Sequence, residues 1–423
     1  MQATQFSPEE VAQLRAHGIV LFADRVIFEA QPPMTIDQIA EVQALCSGEI
    51  PPAMVVLWQL TAGGRLDYDL WLRMNDCEEG ISWTELFYNG SDGYRDLTGW
   101  IEHQQELAED EARERGVTWN GKLNVLPIGG FEYSDRIYVV TNPIAGYDCG
   151  CVVAWKMGLD WGGAMHDDGQ TVVAPDLYAA FRTPQLDTDP LEPASQYHAG
   201  EELLHYLHER QENHGMSEAL ADRLIAFYRG TIVDWRTPLT SGNLGRQPAK
   251  ARCALRYAID SDDAALVAQL ASANVRFDEV LVGSNIPTHY ALRRRKYAAT
   301  TALIKVGAPV KADALASVSG PVSPELVKLL LDAGVLPTAD AMAQCVAYGV
   351  PESAGHIGMA LSQRGIDVAA AYSQASAALL QDCESDADKV RKGQHSHYLG
   401  LEGLEMRVQR LRDFKFAPSA EIG

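Results

Sequence analysis

A repeat in the C-terminal half narrows the choice of folds for this chain more than anything else in it. Leu270 with Asn274, Leu303 with Gly307, Leu330 with Gly334 and Leu361 with Gly365 share a leucine, three residues and then Gly or Asn, at spacings of 33, 27 and 31 residues. Gly and Asn tolerate left-handed backbone just past a helix, which explains their exchange at this position. Helical units of about 33 residues bury their apolar faces only against one another, so the repeat predicts a stacked, all-α array.

The chain before the repeat differs in charge. The whole sequence holds 35 Lys plus Arg and 57 Asp plus Glu over 423 residues, a net of −22. Residues 1–240 hold 15 and 38 of these, or −23, and residues 241–423 hold 20 and 19, or +1. Such a field repels nucleic acid and anionic membrane surfaces and steers basic partners. A hydrophobic content of 47% argues for folded cores rather than disorder. No apolar run reaches the length of a membrane span, and the N-terminus lacks the basic start of a secretory signal. The seven cysteines are scattered apart from Cys149-Gly-Cys151, which has no second Cys or His pair, so a reduced, cytoplasmic protein without a bound metal is expected.

Local signals predict an α+β domain over residues 1–195. Ser7-Pro-Glu-Glu and Thr35-Ile-Asp-Gln read as capped helix starts, and Pro51-Pro52 opens a third helix. Residues 19–22, 25–28, 67–74, 123–128, 136–141 and 151–157 read as strands, and 98–115 as an acidic helix. Gly63-Gly64 predicts a positive-φ exit from a helix, Pro127 the end of a strand, and Gly129-Gly130 a tight reversal. Residues 196–240 read as a helical connector, and the Pro- and Gly-rich stretch 237–249 as a boundary. Residues 241–423 form the helical repeat domain, with a C-terminal helix around 401–414.

The repeat resembles the ankyrin family over about residues 252–372. Pro287-Thr-His-Tyr-Ala291 is similar to the family's Thr-Pro-Leu-His-x-Ala motif with Pro and Thr exchanged, and Glu325-Leu-Val-Lys-Leu-Leu-Leu-Asp-Ala-Gly334 to its second helix. The other repeats lack the motif. The resemblance implies a degenerate ankyrin-like solenoid with a binding or packing surface. Residues 30–183 resemble the SUKH superfamily through three pieces. These are the helix at 35–45 followed by Ile50-Pro-Pro-Ala-Met-Val-Val-Leu-Trp-Gln-Leu-Thr-Ala-Gly-Gly64; Leu126-Pro-Ile-Gly-Gly130 with Ser134-Asp-Arg-Ile-Tyr-Val-Val140; and Cys151-Val-Val-Ala-Trp155. Thr61-Ala62 stands where that family has Asn.

The SUKH resemblance implies an antiparallel sheet with packed helices, and function by binding. Its bacterial members include cytoplasmic immunity proteins that neutralise a cognate toxin, often a nuclease delivered by type VI or contact-dependent secretion. The acidic N-terminal block has the right sign for a basic nuclease cleft. A cytosolic adaptor or scaffold using the ankyrin surface is the alternative. Neither reading requires catalysis, a cofactor, direct nucleic-acid binding or a membrane.

Candidate contact residues for a toxin are the acidic clusters Asp76, Glu78 and Glu79; Glu109, Asp110 and Glu111; and Asp167 with Asp168, together with Trp71 and Trp161. Trp83, Tyr88 and Tyr133 are further aromatic anchors. His205 and His208 lie on one helical face near Glu202, a weak metal signal that a solvated face explains as well. The basic run Arg293-Arg-Arg-Lys296 reads as a helix start or as a contact for acidic groups. No nucleophile elbow, phosphate loop or dinucleotide fingerprint is present.

Overall fold

Ser7 and Thr35 each open a helix with a complete capping box. Ser7 Oγ accepts from the Glu10 N–H (3.2 Å) while the Glu10 carboxylate accepts from the Ser7 N–H (2.8 Å), and Thr35 and Gln38 make the same exchange at 3.2 and 2.8 Å. The computed structural model describes residues 5–74, 77–90, 96–131, 133–144, 146–157, 171–318, 320–394 and 396–417. The chain divides into two units, Met1–Val233 and Asp234–Gly423.

The first unit is mixed α+β. In chain order it contains α1 (Pro8–Ala16), β1 (Val20–Phe22), β2 (Arg25–Ile27), α2 (Ile36–Leu45), α3 (Pro52–Leu60), β3 (Gly64–Arg65), β4 (Leu70–Met74), β5 (Cys77–Ile81), β6 (Glu85–Leu86), α4 (Leu97–Arg115), β7 (Val125–Phe131), β8 (Asp135–Val140), β9 (Val152–Lys156), β10 (Thr171–Ala174), α5 (Leu177–Arg182), α6 (Glu201–His214) and α7 (Glu218–Arg229). Six strands form one antiparallel sheet in the order β10-β9-β8-β7-β6-β3, and β1–β2 and β4–β5 are separate hairpins. Ala23 and Asp24, at φ 47° and 64°, make the two-residue turn that matches strand twist in the first hairpin.

The middle of the sheet is covered on both faces. Ile137, Val139, Val152 and Ala154 join the main core with Leu57, Trp58, Phe181 and Tyr228. Their alternates Tyr138, Val140 and Val153 join a smaller core with Val125 and Cys151. The Tyr138 hydroxyl donates to Gln104 Oε1 of α4 (3.3 Å), fixing that helix over the second face. Leu203, Tyr206, Leu207, Leu220, Leu224 and Tyr228 place α6 and α7 in the main core too.

Two backbone expectations are corrected and a third is narrowed. Pro127 lies inside β7 opposite Tyr138, and a register shift between Pro127 and Gly129 accommodates its missing N–H. Gly129 and Gly130 make no reversal. They are strand residues pressed by their neighbours: a Cβ would stand 2.3 Å from Glu85 O at Gly129 and 2.1 Å from Asp135 O at Gly130. Of the Gly63-Gly64 pair only Gly64 has positive φ (155°), and a Cβ on Gly63 would stand 2.6 Å from Leu86 O. Thr61 organises this exit: its Oγ1 accepts from the Gly63 N–H (3.3 Å) and donates to Gln31 O (3.0 Å).

The second unit is helical throughout its described elements: α8 (Arg236–Thr240), α9 (Pro248–Asp260), α10 (Ala264–Ser272), α11 (Pro287–Arg293), α12 (Tyr297–Lys305), α13 (Pro324–Asp332), α14 (Ala339–Ala347), α15 (Pro351–Gln363), α16 (Val368–Arg391) and α17 (Gly400–Asp413). One row runs α9, α11, a 3₁₀ turn at Ala314–Ser317, α14 and α16; a second runs α10, α12, α13 and α15. The 3₁₀ turn stands where a first helix would, and it falls in the 27-residue spacing.

All four predicted caps are left-handed: Asn274 at φ 58°, Gly307 at 84°, Gly334 at 91° and Gly365 at 76°. In each case the next N–H donates back to the carbonyl of the repeated leucine, from Val275, Ala308, Val335 and Ile366 to Leu270, Leu303, Leu330 and Leu361, at 3.0–3.2 Å. That leucine is also a core residue, no more than 2% exposed in any copy. The repeat thus encodes a Schellman stop and a buried anchor in five residues.

Candidate protein-binding surface

Trp71, Glu78 and Glu79 come together on the β4–β5 hairpin. Trp71 faces Gly80 across the pair, where a Cβ would meet its ring at 3.4 Å, and Glu78 stands opposite Arg73. Lys156 Nζ holds the Glu79 carboxylate (3.0 Å) and donates to Gly80 O (2.7 Å). Glu79 is therefore already paired.

The cluster on α4 is paired as well. Arg113 reaches Glu109 (3.5 Å) and Asp110 (2.7 Å), and Arg115 pairs with Glu111. Two arginines one turn along the same helix answer three carboxylates, so the cluster projects little net field. Asp76, Trp161, Asp167 and Asp168 lie outside the described residues.

The remaining aromatics separate by burial. Trp83 is 2% exposed, its ring edge-on to Phe181 at 5.0 Å. Tyr88 covers Gly63, where a Cβ would stand 2.8 Å from its side chain. Tyr133, just past β7, is 53% exposed. Its ring stands edge-on to Trp100 of α4 at 5.5 Å, and the Arg136 guanidinium carbon lies 3.4 Å from the Trp100 centroid. Burial lowers the Arg136 pKa, and the nearby Tyr138 and Asp135 oppose that shift.

His205 and His208 are exposed on α6. His208 pairs with Glu212 (3.2 Å) and Glu202 with Arg65. Among the described residues no group of three or more His, Cys, Asp or Glu is placed to hold a metal. The basic run is used inside its own unit: Arg294 pairs with Asp260 (3.1 Å), Lys296 donates to Asp260 O, and Arg295 takes a left-handed conformation at φ 58°.

Sequence reasoning passed over Asp67, Arg136 and Asp260, whose charges are largely buried. Asp67 caps α6 from far along the chain, accepting from the Leu203 N–H at 2.9 Å where Gly200 offers no side chain. Burial pushes its carboxyl above the ordinary range despite the N–H groups of Gly200, Leu203 and Glu202. No local signal marks it, because one aspartate among 57 acids looks like the others until its helix is in place.

Among the described residues no helix is long and apolar enough to cross a membrane. The chain matches no family model, no curated protein and no solved structure.

Proposed function

We propose that this chain is a cytoplasmic immunity protein whose acidic first unit binds and neutralises a basic toxin, a nuclease being the best fit in charge. The observation that carries the reading is where the charge falls. Met1–Val233 holds 14 basic and 37 acidic residues, a net of −23, while Asp234–Gly423 holds 21 and 20, a net of +1. The asymmetry thus follows the division into two units. A surface of that sign speeds encounter with a cationic partner and discriminates against anionic ones.

On this proposal the first unit is a SUKH-type domain and the second a degenerate ankyrin-type array. The six-stranded antiparallel sheet with packed helices supports the first assignment, and the two helix rows with recurring left-handed stops support the second. Inhibition is stoichiometric occlusion of the toxin, and the protein itself performs no catalysis and needs no cofactor.

The test is co-purification with the product of the adjacent gene, together with rescue of cells that express that product. Association should weaken steeply with salt, because steering between exposed charges is screened beyond about 8 Å at physiological ionic strength. No protection against any neighbouring toxin would defeat the proposal.

A scaffold role is the second reading, and one feature favours it. Lys328, Leu331, Met359 and Arg364 line a cleft of about 390 Å³ between α13 and α15, on the second helix row. Partners captured through that cleft, without rescue, would decide for it.

A further inference from the structure

We infer that the surface around Tyr133 is where the first unit receives an arginine or lysine side chain from its basic partner; this rests on the reading of that unit as a binder of a basic protein. Tyr133 is the exposed end of a ring stack whose inner members are buried. Trp100 is 5% exposed, Phe87 stacks on it at 5.4 Å, and the buried Arg136 lies over its face. His103 completes the group, its ring 5.9 Å from Trp100 and 6.4 Å from Tyr133. An aromatic held this way presents contact area without losing rotamer freedom on binding, which is what a hot-spot residue requires.

The helix that carries Trp100 and His103 also carries charge that no described cation answers, unlike the described clusters on β5 and farther along α4. Glu102 and Glu106 are exposed on α4 to either side of His103 in the sequence, and no described cation pairs with them. Like charges four residues apart on a helix repel. Further along the same helix Arg113 and Arg115 relieve the acids, whereas here an incoming cation would do so. Phe131 and Met157, 40% and 64% exposed, belong to the same end of the sheet: Phe131 pairs with Asp135, and the Met157 N–H donates to Ser134 O (2.6 Å).

A half-exposed ring, two carboxylates that no described cation answers and apolar shoulders suit a long cationic side chain. Arginine fits best, since it stacks on aromatic faces and donates in a fork to carboxylates.

The experiment uses the full chain and the product of the adjacent gene. Tyr133→Ala should weaken their association at least about tenfold. The double variant Glu102→Gln/Glu106→Gln should slow association and flatten its salt dependence. Glu109→Gln/Asp110→Asn, altering acids already paired, should stay within about twofold of the parent. Unchanged near-ultraviolet circular dichroism would establish that the variants are folded, and the exposed double variant provides the test if Tyr133→Ala is not. If the parent binds and both surface variants bind equally well, the inference is wrong while the immunity reading stands. If the parent neither binds nor protects, both fall.

Discussion

Gly130 and Gly307 are both glycines at positive φ, yet they do different things. At Gly130 a side chain has no room, because Asp135 O would lie 2.1 Å from its Cβ; at Gly307 nothing lies within 4 Å and only the backbone conformation asks for glycine. Gly130→Ala should therefore cost about 3 kcal/mol, combining backbone strain and a clash between strands. Gly307→Ala should cost about 1 kcal/mol. Urea midpoints would separate the two, and equal losses would show that the strand spacing is not what Gly130 protects. Asp67 gives a second test at this scale. With its carboxyl raised above 3.8 by burial, the folded chain holds that proton more tightly than the unfolded chain. Its contribution to stability is thus full below 3.8 and is lost as pH rises through the raised value. Asp67→Asn does not titrate, so the parent should gain on the variant as pH falls through that raised value toward 3.8. A stability difference that does not change with pH would refute this.

The short elements divide into those with local causes and those without. The capping boxes of α1 and α2, the strands β8 and β9, helix α4 and the four Leu-to-Gly/Asn stops were readable in the sequence because each rests on a pattern of neighbouring residues, whereas β7 runs on through the Pro127 and Gly129-Gly130 that read as its end. The stops inside the helix pairs were not. Asp262 and Arg295 take left-handed backbone at φ 55° and 58°, and neither residue type announces it. Relieving one of them tests the assignment: Arg295→Gly should stabilise the second unit by about 1 kcal/mol, whereas a docking role for this basic run predicts lost binding instead. Arg294→Ala should cost about 2 kcal/mol, since it removes the ion pair of the largely buried Asp260 and leaves the Tyr290 hydroxyl (3.1 Å) with the charges of Arg256 and Lys296 to answer it. The acidic clusters were legible as charge but not as pairing. That Glu109 and Asp110 are answered by Arg113, and Glu102 and Glu106 by no described cation, depends on side-chain geometry that composition does not carry.

The whole molecule joins a unit of −23 to one of +1, each with its own buried core. Self-repulsion should weigh on the first alone, so raising salt should slow amide exchange over Met1–Val233 and leave Asp234–Gly423 nearly unchanged. Hydrogen exchange read by mass spectrometry on the intact chain would report both regions at once, and an equal response in the two would sink the idea. The way the first unit closes also sets an order in time. Asp67 waits for the amides of α6, the Tyr206 hydroxyl donates to His17 O (2.7 Å), and Arg223 of α7 reaches back to Glu10 of α1. On a ribosome α1 would leave the tunnel well over a hundred residues ahead of the partners that seal it, and during that interval its apolar side, Leu14 included, would be open to chaperones.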